Sequence, residues 1–235
     1  MREEVKAGRG ADHAKHEAGW PAAFEKAKSP DYYLALTSMT GPSEAWYLIP
    51  TESHATIAET MKREDKDPVL SAELARLAAR DAEFINAVRV VQAVARPDLS
   101  IGQFPDLTKV RFYQVTTYTV RQGPTDKFDA LSKAYGNARK RVAPDSSYRV
   151  YSVIAGLPSP TYLVFSTVED YAKFDQTMAD HAATLGAATA EEKAEFDKYG
   201  DIIVRTETNR FRLDPVQSYV SKETRAQDPE FWLPK

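Results

Sequence analysis

The sequence predicts an α+β fold in which two β-α-β-β-α-β units follow one another in tandem. A strand–turn–strand stretch occurs twice, as TSMTGPSEAWYLIP at residues 37–50 and as SVIAGLPSPTYLVF at residues 152–165. An ungapped offset that places Tyr33 on Tyr148 and Gly41 on Gly156 also aligns turns with turns and strands with strands. The 235 residues, 43% of them hydrophobic and 28% charged, suffice for two soluble domains of about 100 residues each.

The elements of the first unit follow from residue type and spacing. β-Branched and aromatic residues predict its strands, and Gly-Pro-Ser at 41–43 predicts a hairpin turn, because glycine supplies unusual backbone angles and proline cannot donate to a ladder. The predicted elements are a strand at Val5, a helix over 12–28, strands over 32–39 and 44–50, helices from 53 and over 67–84, and a strand over 87–95.

The second unit repeats this order. Its elements are a strand over 110–120, a helix over 124–141, strands over 148–155 and 161–165, helices from 167 and 189, and a strand over 201–213. The predicted domain limits are 1–100 for the first repeat, 101–109 for a linker, 110–213 for the second repeat and 214–235 for a C-terminal tail. The β-α-β-β-α-β order is that of a ferredoxin-like unit.

Apolar side chains occupy both faces of the predicted sheets, as in WYLI at 46–49 and YLVF at 162–165. Neighbouring residues of a strand point to opposite faces, so the face without helices also needs a cover. The economical cover is the sheet of the other unit, which predicts two sheets that face each other as a pseudo-dimeric α/β barrel.

With these turns and strands, the chain resembles the dimeric α/β-barrel superfamily, which includes NIPSNAP-like, antibiotic-biosynthesis-monooxygenase-like and EthD-like families. The resemblance covers roughly residues 1–213 and rests on the order of the repeat rather than on a signature motif. It implies a pocket between sheet and helices in each unit. It transfers no reaction, because members of this superfamily differ in activity.

His13 and His16 are the candidate catalytic residues. The same alignment places Phe128 and Leu131 at their positions in the second unit, so the first unit is expected to hold the functional pocket. An imidazole there can act as a general base; the alternative is that both histidines are solvated or merely hydrogen-bonded. Glu17 lies one turn further on, but no recognised metal-binding spacing is present, so no metal and no cofactor are predicted.

The candidate ligand-binding residues are Trp20, Tyr33, Trp46, Tyr47 and Asn86. Pro21 lies inside the predicted first helix, where it should kink the backbone and turn Trp20 toward the sheet. A cluster of aromatic rings suits a flat apolar ligand, although aromatic residues in sheets also serve as ordinary core.

Composition and missing motifs exclude several classes. A net charge of -3 argues against a nucleic-acid partner, and the lack of cysteine excludes thiolate chemistry and disulfides. No stretch approaches a membrane span, and the charged start MREEVKAGRG is no signal peptide, although an export signal removed upstream would leave the same sequence. The compartment is therefore left open.

The predicted function is the binding of a small apolar or aromatic molecule in the N-terminal unit. The first alternative is a cofactor-free monooxygenase-like enzyme in which a pocket histidine removes a proton from an activated aromatic substrate. The second is a non-catalytic structural or oligomerisation module. The tail, with Phe231, Trp232 and Leu233, is expected to dock on the chain's own barrel or to form a homodimer.

Overall fold

The computed structural model describes residues 1–123 and 125–233. These residues form two compact units: one consists of Met1–Val90 together with Arg212 and the described residues after it, and the other is Val91–Phe211. The elements of the first are β1 (Arg2–Val5), α1 (Gly10–Glu17), α2 (Gly19–Ala27), β2 (Tyr33–Ser38), β3 (Glu44–Leu48), α3 (His54–Lys66), α4 (Pro68–Asp81) and β4 (Ile85–Arg89).

The elements of the second unit, and those that follow it, continue the same alternation of strands and helices. They are β5 (Gln92–Ala95), β6 (Phe112–Val120), α5 (Asp126–Val142), β7 (Tyr148–Ala155), β8 (Thr161–Val168), α6 (Lys173–Gly186), α7 (Ala190–Phe196), α8 (Tyr199–Ile202), β9 (Ile203–Tyr219), α9 (Lys222–Gln227) and α10 (Pro229–Trp232). The proline at 124, with which the second unit's first helix was predicted to begin, lies outside the described residues.

The strands of the described residues pair antiparallel in each unit and alternate with helices, which confirms the mixed α+β class. Within the first unit the strand order is β4-β1-β3-β2, followed by the C-terminal part of β9. Within the second, the N-terminal part of β9 leads the order β9-β6-β8-β7-β5. Each order places the first strand of a β-α-β-β-α-β unit between its third and fourth strands, as in a ferredoxin-like sheet.

The predicted strand over 87–95 is wrong as a single element. Residues Ile85–Arg89 pair with β1, whereas Gln92–Ala95 pair with β7. The run AVRVVQAVA has uninterrupted strand character, so residue type could not reveal that the chain changes partners in the middle of it. The last strand also differs from the prediction, because β9 continues beyond residue 213 to Tyr219.

The predicted first helix, over 12–28, is two helices that meet at Ala18. Proline at position 21 has no N–H to donate to the carbonyl of Glu17, and its ring crowds that carbonyl, so the first helix ends there. The next two helices, α3 and α4, are separated by Asp67, which directly precedes Pro68. The side chain of Asp67 caps α4 by accepting hydrogen bonds from the amides of Val69 and Leu70.

The two hairpin turns differ in length, which corrects the ungapped alignment. Val5 donates its amide hydrogen bond to the carbonyl of Ser43, and its counterpart Val120 donates to that of Pro160. The turn of the second unit is therefore two residues longer, and Tyr47 corresponds to Val164 rather than to Tyr162. Both candidates are strand formers, so residue type alone could not reveal the insertion.

Within the described ranges, no helix has the length and apolar character needed to cross a membrane. The C-terminal segment belongs to the first unit, where Trp232 is 3% exposed. Arg225 of α9 forms an ion pair with Glu25 of α2, with Nη2 and Oε2 2.6 Å apart. The tail therefore packs on its own chain, the first of the two predicted alternatives, while a homodimer stays a prediction.

Candidate functional site

Two buried carboxyl groups and a histidine meet beneath α1 in the first unit. Glu3 lies on β1, and His13 and Glu17 lie one turn apart on α1; each is only 2–3% exposed. His13 Nε2 is 2.9 Å from Glu3 Oε2 and 4.0 Å from Glu17 Oε1. Residues four apart share a helix face, and alternation along β1 turns Glu3 and Val5 to the same side.

Tyr47 of β3 links this group to a second pair of polar side chains. Its hydroxyl oxygen is 2.9 Å from Glu17 Oε2 and 3.1 Å from Gln217 Oε1. Gln217, which is completely buried on β9, donates from Nε2 to Asp214 Oδ2 at 2.7 Å. We call Glu3, His13, Glu17 and Tyr47 the acid–base cluster.

The hydrogen-bond pattern accommodates a protonated Glu17. Because Gln217 uses its amide N–H toward Asp214, its oxygen faces Tyr47 as an acceptor, and the single phenolic hydrogen of Tyr47 can satisfy it. When the phenolic hydrogen goes to Gln217, a protonated Glu17 supplies the hydrogen of its own contact with Tyr47; when Glu17 is ionised, Tyr47 donates to it instead. Burial, helped by the negative charge of Glu3, raises the pKa of Glu17 to about 7, so its proton is available near neutral pH.

His16 lies outside the acid–base cluster. Its Nε2 is 2.8 Å from Asp81 Oδ1 and 3.1 Å from the carbonyl oxygen of Leu77 on α4. A carbonyl only accepts, so Nε2 carries a hydrogen and donates it. The ring also packs on Phe84, with the centroids 5.0 Å apart. These contacts make His16 a link between α1 and α4, and they favour His13 as the histidine of the site.

The structure brings two of the five predicted ligand-binding residues to the acid–base cluster. Tyr47 is a member, and Tyr33 packs edge-on against it with ring centroids 6.0 Å apart. Phe24 and Tyr219 pack in turn against Tyr33, at 6.0 and 6.3 Å. We call Phe24, Tyr33 and Tyr219 the aromatic group.

The other three predicted residues lie elsewhere. Trp46 follows the alternation of β3 to the opposite face of the sheet, where the guanidinium of Arg2 lies 4.3 Å from its ring. Trp20 is half-buried and packs against the Ala23, Leu70 and Leu77 cluster. The expectation that it turns toward the sheet is wrong, because the break at Ala18 directs α2 along α4.

Asn86 is exposed on β4 and donates to Glu4 Oε1 at 3.2 Å. Glu4 follows Glu3 in the strand and therefore points away from His13.

Two residues of the site, Glu3 and Gln217, were not predicted from the sequence. A glutamate that alternates in step with Val5 on a strand is a usable signal for Glu3, whereas nothing near Gln217 marks it in the sequence.

The second unit has no carboxyl group or histidine where the first has the acid–base cluster, and Ser132 stands at the position of Glu17. Tyr118 stands at the position of Glu3, Phe128 at that of His13, and Val164 at that of Tyr47. The ring of Phe128 lies 5.8 Å from Tyr118 and stacks at 3.9 Å on Tyr162, and all of them belong to one hydrophobic core. This fold therefore does not require a buried charge at these positions.

A surface cavity of about 330 Å³ opens between α2 and the C-terminal segment of the first unit. Its lining includes Pro21, Glu25, Tyr219, Arg225 and Trp232, and it does not include His13 or Glu17. Tyr219 belongs both to this lining and to the aromatic group, whereas Phe24, Tyr33 and Tyr47 are not among the lining residues.

Two sets of side chains in the first unit have the donor atoms and spacing to hold a metal ion. Glu3, His13 and Glu17 each offer one ligand atom, and these atoms lie within 4.8 Å of one another. His16, Glu17 and Asp81 form the second set. The two sets share Glu17. They differ in that the nitrogen of His16 also contacts a backbone carbonyl, that of Leu77, whereas the nitrogen of His13 contacts a carboxylate, that of Glu3.

The sequence matches no protein-family model and no curated protein. Solved structures do match. A candidate monooxygenase from Fusobacterium nucleatum subsp. nucleatum has a TM-score of 0.57 at 10% identity, over 90% of this chain and 89% of that one. An anthrone oxidase-like protein has a TM-score of 0.54 at 11% identity, over 94% and 92%.

A variant of chlorite dismutase from Candidatus Nitrospira defluvii has a TM-score of 0.51 at 9% identity, over 95% of this chain and 88% of its own. At such identities the likeness shows the fold and nothing about activity. The chain thus has the α+β fold of these structures.

Proposed function

We propose that the chain is a tandem duplication whose two sheets face each other as a pseudo-dimeric barrel, and that its first unit binds a small apolar or aromatic molecule beside the acid–base cluster. The observation that carries this proposal is the contrast between the units. Burying two carboxyl groups and a histidine is unfavourable unless they are paired, and apolar side chains at such positions are often as stable or more so. A fold that accepts Phe128 in place of His13 has no structural need for the cluster.

The ligand is placed on the aromatic group. Tyr33 packs against the ring of Tyr47, Phe24 and Tyr219 pack against Tyr33, and Tyr219 also lines the surface cavity. A flat apolar molecule in the cavity would contact Tyr219 and Trp232 together with the charged side chains of Glu25 and Arg225. Mostly apolar walls with a few placed polar groups are typical of small-molecule sites.

The proposed chemistry is proton abstraction from an activated aromatic substrate, as in a cofactor-free monooxygenase-like enzyme. The proton would pass from the substrate to the acid–base cluster, with His13 and the ionised form of Glu17, which is populated from about pH 7 upward, as the acceptors. Glu3 and Tyr47 would orient these two groups. The names of two similar structures, a candidate monooxygenase and an anthrone oxidase-like protein, support an oxygen-dependent reaction of this kind.

The test is to titrate the full chain with hydroxylated polycyclic aromatic compounds of the anthrone class and to follow both binding and oxygen consumption. Tyr33→Ala should weaken binding at least tenfold. Glu17→Gln should keep the dissociation constant within about threefold and abolish oxygen consumption. Ser132→Ala, at the position of Glu17 in the second unit, is the matched control and should change neither.

The outcomes separate the three functions. Binding without turnover would leave a small-molecule-binding protein, and turnover that survives Glu17→Gln would remove the acid–base cluster from the reaction. If no compound of the class binds, the structural module becomes the better account. In that case light scattering of the chain with and without residues 221–235 would test a homodimer formed through the tail.

A further inference from the structure

We infer that Glu3, His13 and Glu17 form a binding site for one divalent transition-metal ion of the zinc class. This inference goes beyond the proposed function and does not depend on it, because it concerns occupancy of the site in the absence of any substrate. It rests on four properties of the cluster: its donor atoms, their spacing, their charge and the groups behind them.

The donor atoms select the class of ion. One imidazole nitrogen and two carboxylate oxygens are ligands that zinc and its neighbours accept, whereas calcium and magnesium prefer six or more oxygen ligands. Three protein ligands also leave a fourth position open, which is the pattern of catalytic rather than structural zinc sites.

The spacing needs little adjustment. In a tetrahedral site with bonds of about 2.1 Å, ligand atoms lie about 3.4 Å apart. The distances from His13 Nε2 to Glu3 Oε2 and Glu17 Oε1 are 2.9 and 4.0 Å, one slightly below this value and one slightly above it. Shifts of about half an ångström in side chains on two packed elements, β1 and α1, would form the site.

The charge of the cluster favours a cation. Among the described residues, His13 is the only basic side chain within 4.0 Å of a carboxylate oxygen of Glu3 or Glu17. Two carboxylates and one neutral imidazole together carry two negative charges, which a divalent ion neutralises. In its absence protons must do so, and the ion therefore competes with protons for the same atoms.

The groups behind the ligands support the same assignment. Tyr47 holds Glu17 Oε2 at 2.9 Å, so the other oxygen, Oε1, is directed at His13. Gln217 and Asp214 in turn hold Tyr47. Outer hydrogen bonds of this kind orient metal ligands, and their loss typically lowers metal affinity about 10–100-fold.

The neighbouring set, His16 with Glu17 and Asp81, is a poorer site. The carbonyl of Leu77 lies 3.1 Å from His16 Nε2 and keeps a hydrogen on that nitrogen, which therefore cannot bind an ion without losing this contact. His54 and His181, the remaining histidines, lie outside both sets. The chain therefore supplies its own controls for unspecific binding by histidine.

The experiment is calorimetric titration of the chelator-treated full chain with Zn²⁺, repeated with Co²⁺ to record its visible absorption. We expect one ion per chain, release of protons on binding, and Co²⁺ bands of four-coordinate intensity. The triple variant Glu3→Tyr, His13→Phe and Glu17→Ser, which copies the second unit, should lose the site and remain folded by circular dichroism. Tyr47→Phe should lower the affinity about 10–100-fold.

The control is the double variant His54→Ala and His181→Ala, which should bind as the wild type does. Binding that survives the triple variant, or that disappears in the control, would overturn the assignment, as would the absence of a stoichiometric site. Turnover measured separately in chelator distinguishes this result from failure of the proposed function. If both hold, Zn²⁺ should inhibit the proton transfer, because it occupies the proton-accepting atoms.

Discussion

Glu17 is the residue on which the chemistry of the first unit depends. It shares a hydrogen with Tyr47, faces His13 and belongs to both potential metal-binding sets. The sequence showed its position, one turn after His13, but not its state, because that state follows from burial and from Glu3, which lies on another element. Spacing along a helix can be read from sequence, whereas the dielectric around a side chain depends on tertiary packing.

Glu17 should make the metal-free protein less stable as the pH rises through neutrality. Its pKa is raised from 4.5 to about 7, so the folded state holds a proton that the unfolded state releases between these values. The resulting stabilisation, about 3 kcal/mol, is fully present below pH 4.5 and is lost as the pH passes 7. Urea unfolding in chelator from pH 4.5 to 8.5, compared with Glu17→Gln, should show this loss in the wild type only. Parallel pH profiles would contradict the assignment.

His13→Phe should be strongly destabilising even though phenylalanine fills the same position in the second unit. It leaves the carboxylate of Glu3 buried without its partner, which typically costs about 3–5 kcal/mol. The double variant Glu3→Leu and His13→Phe should recover most of this loss, because no buried charge is left without a partner. Unfolding free energies at pH 7 in chelator measure both variants. A double variant no more stable than the single one would refute the pairing of Glu3 with His13.

At the scale of helices and strands, regular side-chain spacing explains which residues of the site could be predicted from the sequence. Alternation in β1 and β3 and the helical spacing of α1 predicted which of their residues share a face. The break at Ala18 was anticipated from Pro21, but the direction of α2 after it depends on the surface that receives it. That surface is α4, where the ring of Trp20 packs with Leu70 and Leu77.

Gly19 sets the distance between α2 and α4. A Cβ at this position would lie 2.7 Å from Cδ2 of Leu77, which is itself buried. Gly19→Ala should therefore lower the unfolding free energy by about 1–3 kcal/mol, although alanine is the better helix former. Gly186→Ala in α6, where a Cβ meets nothing within 4 Å, is the control and should be neutral or stabilising. Equal thermal midpoints for the two variants would disprove the close packing.

At the scale of the whole molecule, the order of the strands along the chain was predicted better than their number or the unit to which each belongs. Hydrophobic alternation and turn residues define a β-α-β-β-α-β pattern locally. Which unit receives β5, or the last residues of β9, is decided by pairing between distant segments. For the same reason Gln217, which completes the hydrogen bonds of Tyr47, had no signal in the sequence.

The C-terminal segment should contribute strongly to the stability of the first unit. Trp232 is almost completely buried there, and replacing such a side chain by alanine typically costs about 3–5 kcal/mol. Leu233→Ala, at a neighbouring residue that is 56% exposed, should change the unfolding free energy by less than about 1 kcal/mol. Chemical denaturation of both variants tests this, and equal effects would show that the tail is only loosely attached.

The passage of β9 from one unit to the other has a consequence for synthesis on the ribosome. The second unit, Val91–Phe211, is contiguous in the chain, whereas the first needs Arg212 and residues beyond it. The N-terminal part of the chain, although made first, is therefore the last to obtain all its packing partners. Limited proteolysis of ribosome-bound chains of increasing length should find residues 91–211 protected before residues 1–90. The opposite order would mean that the first unit is stable before Gln217 and Trp232 have been added.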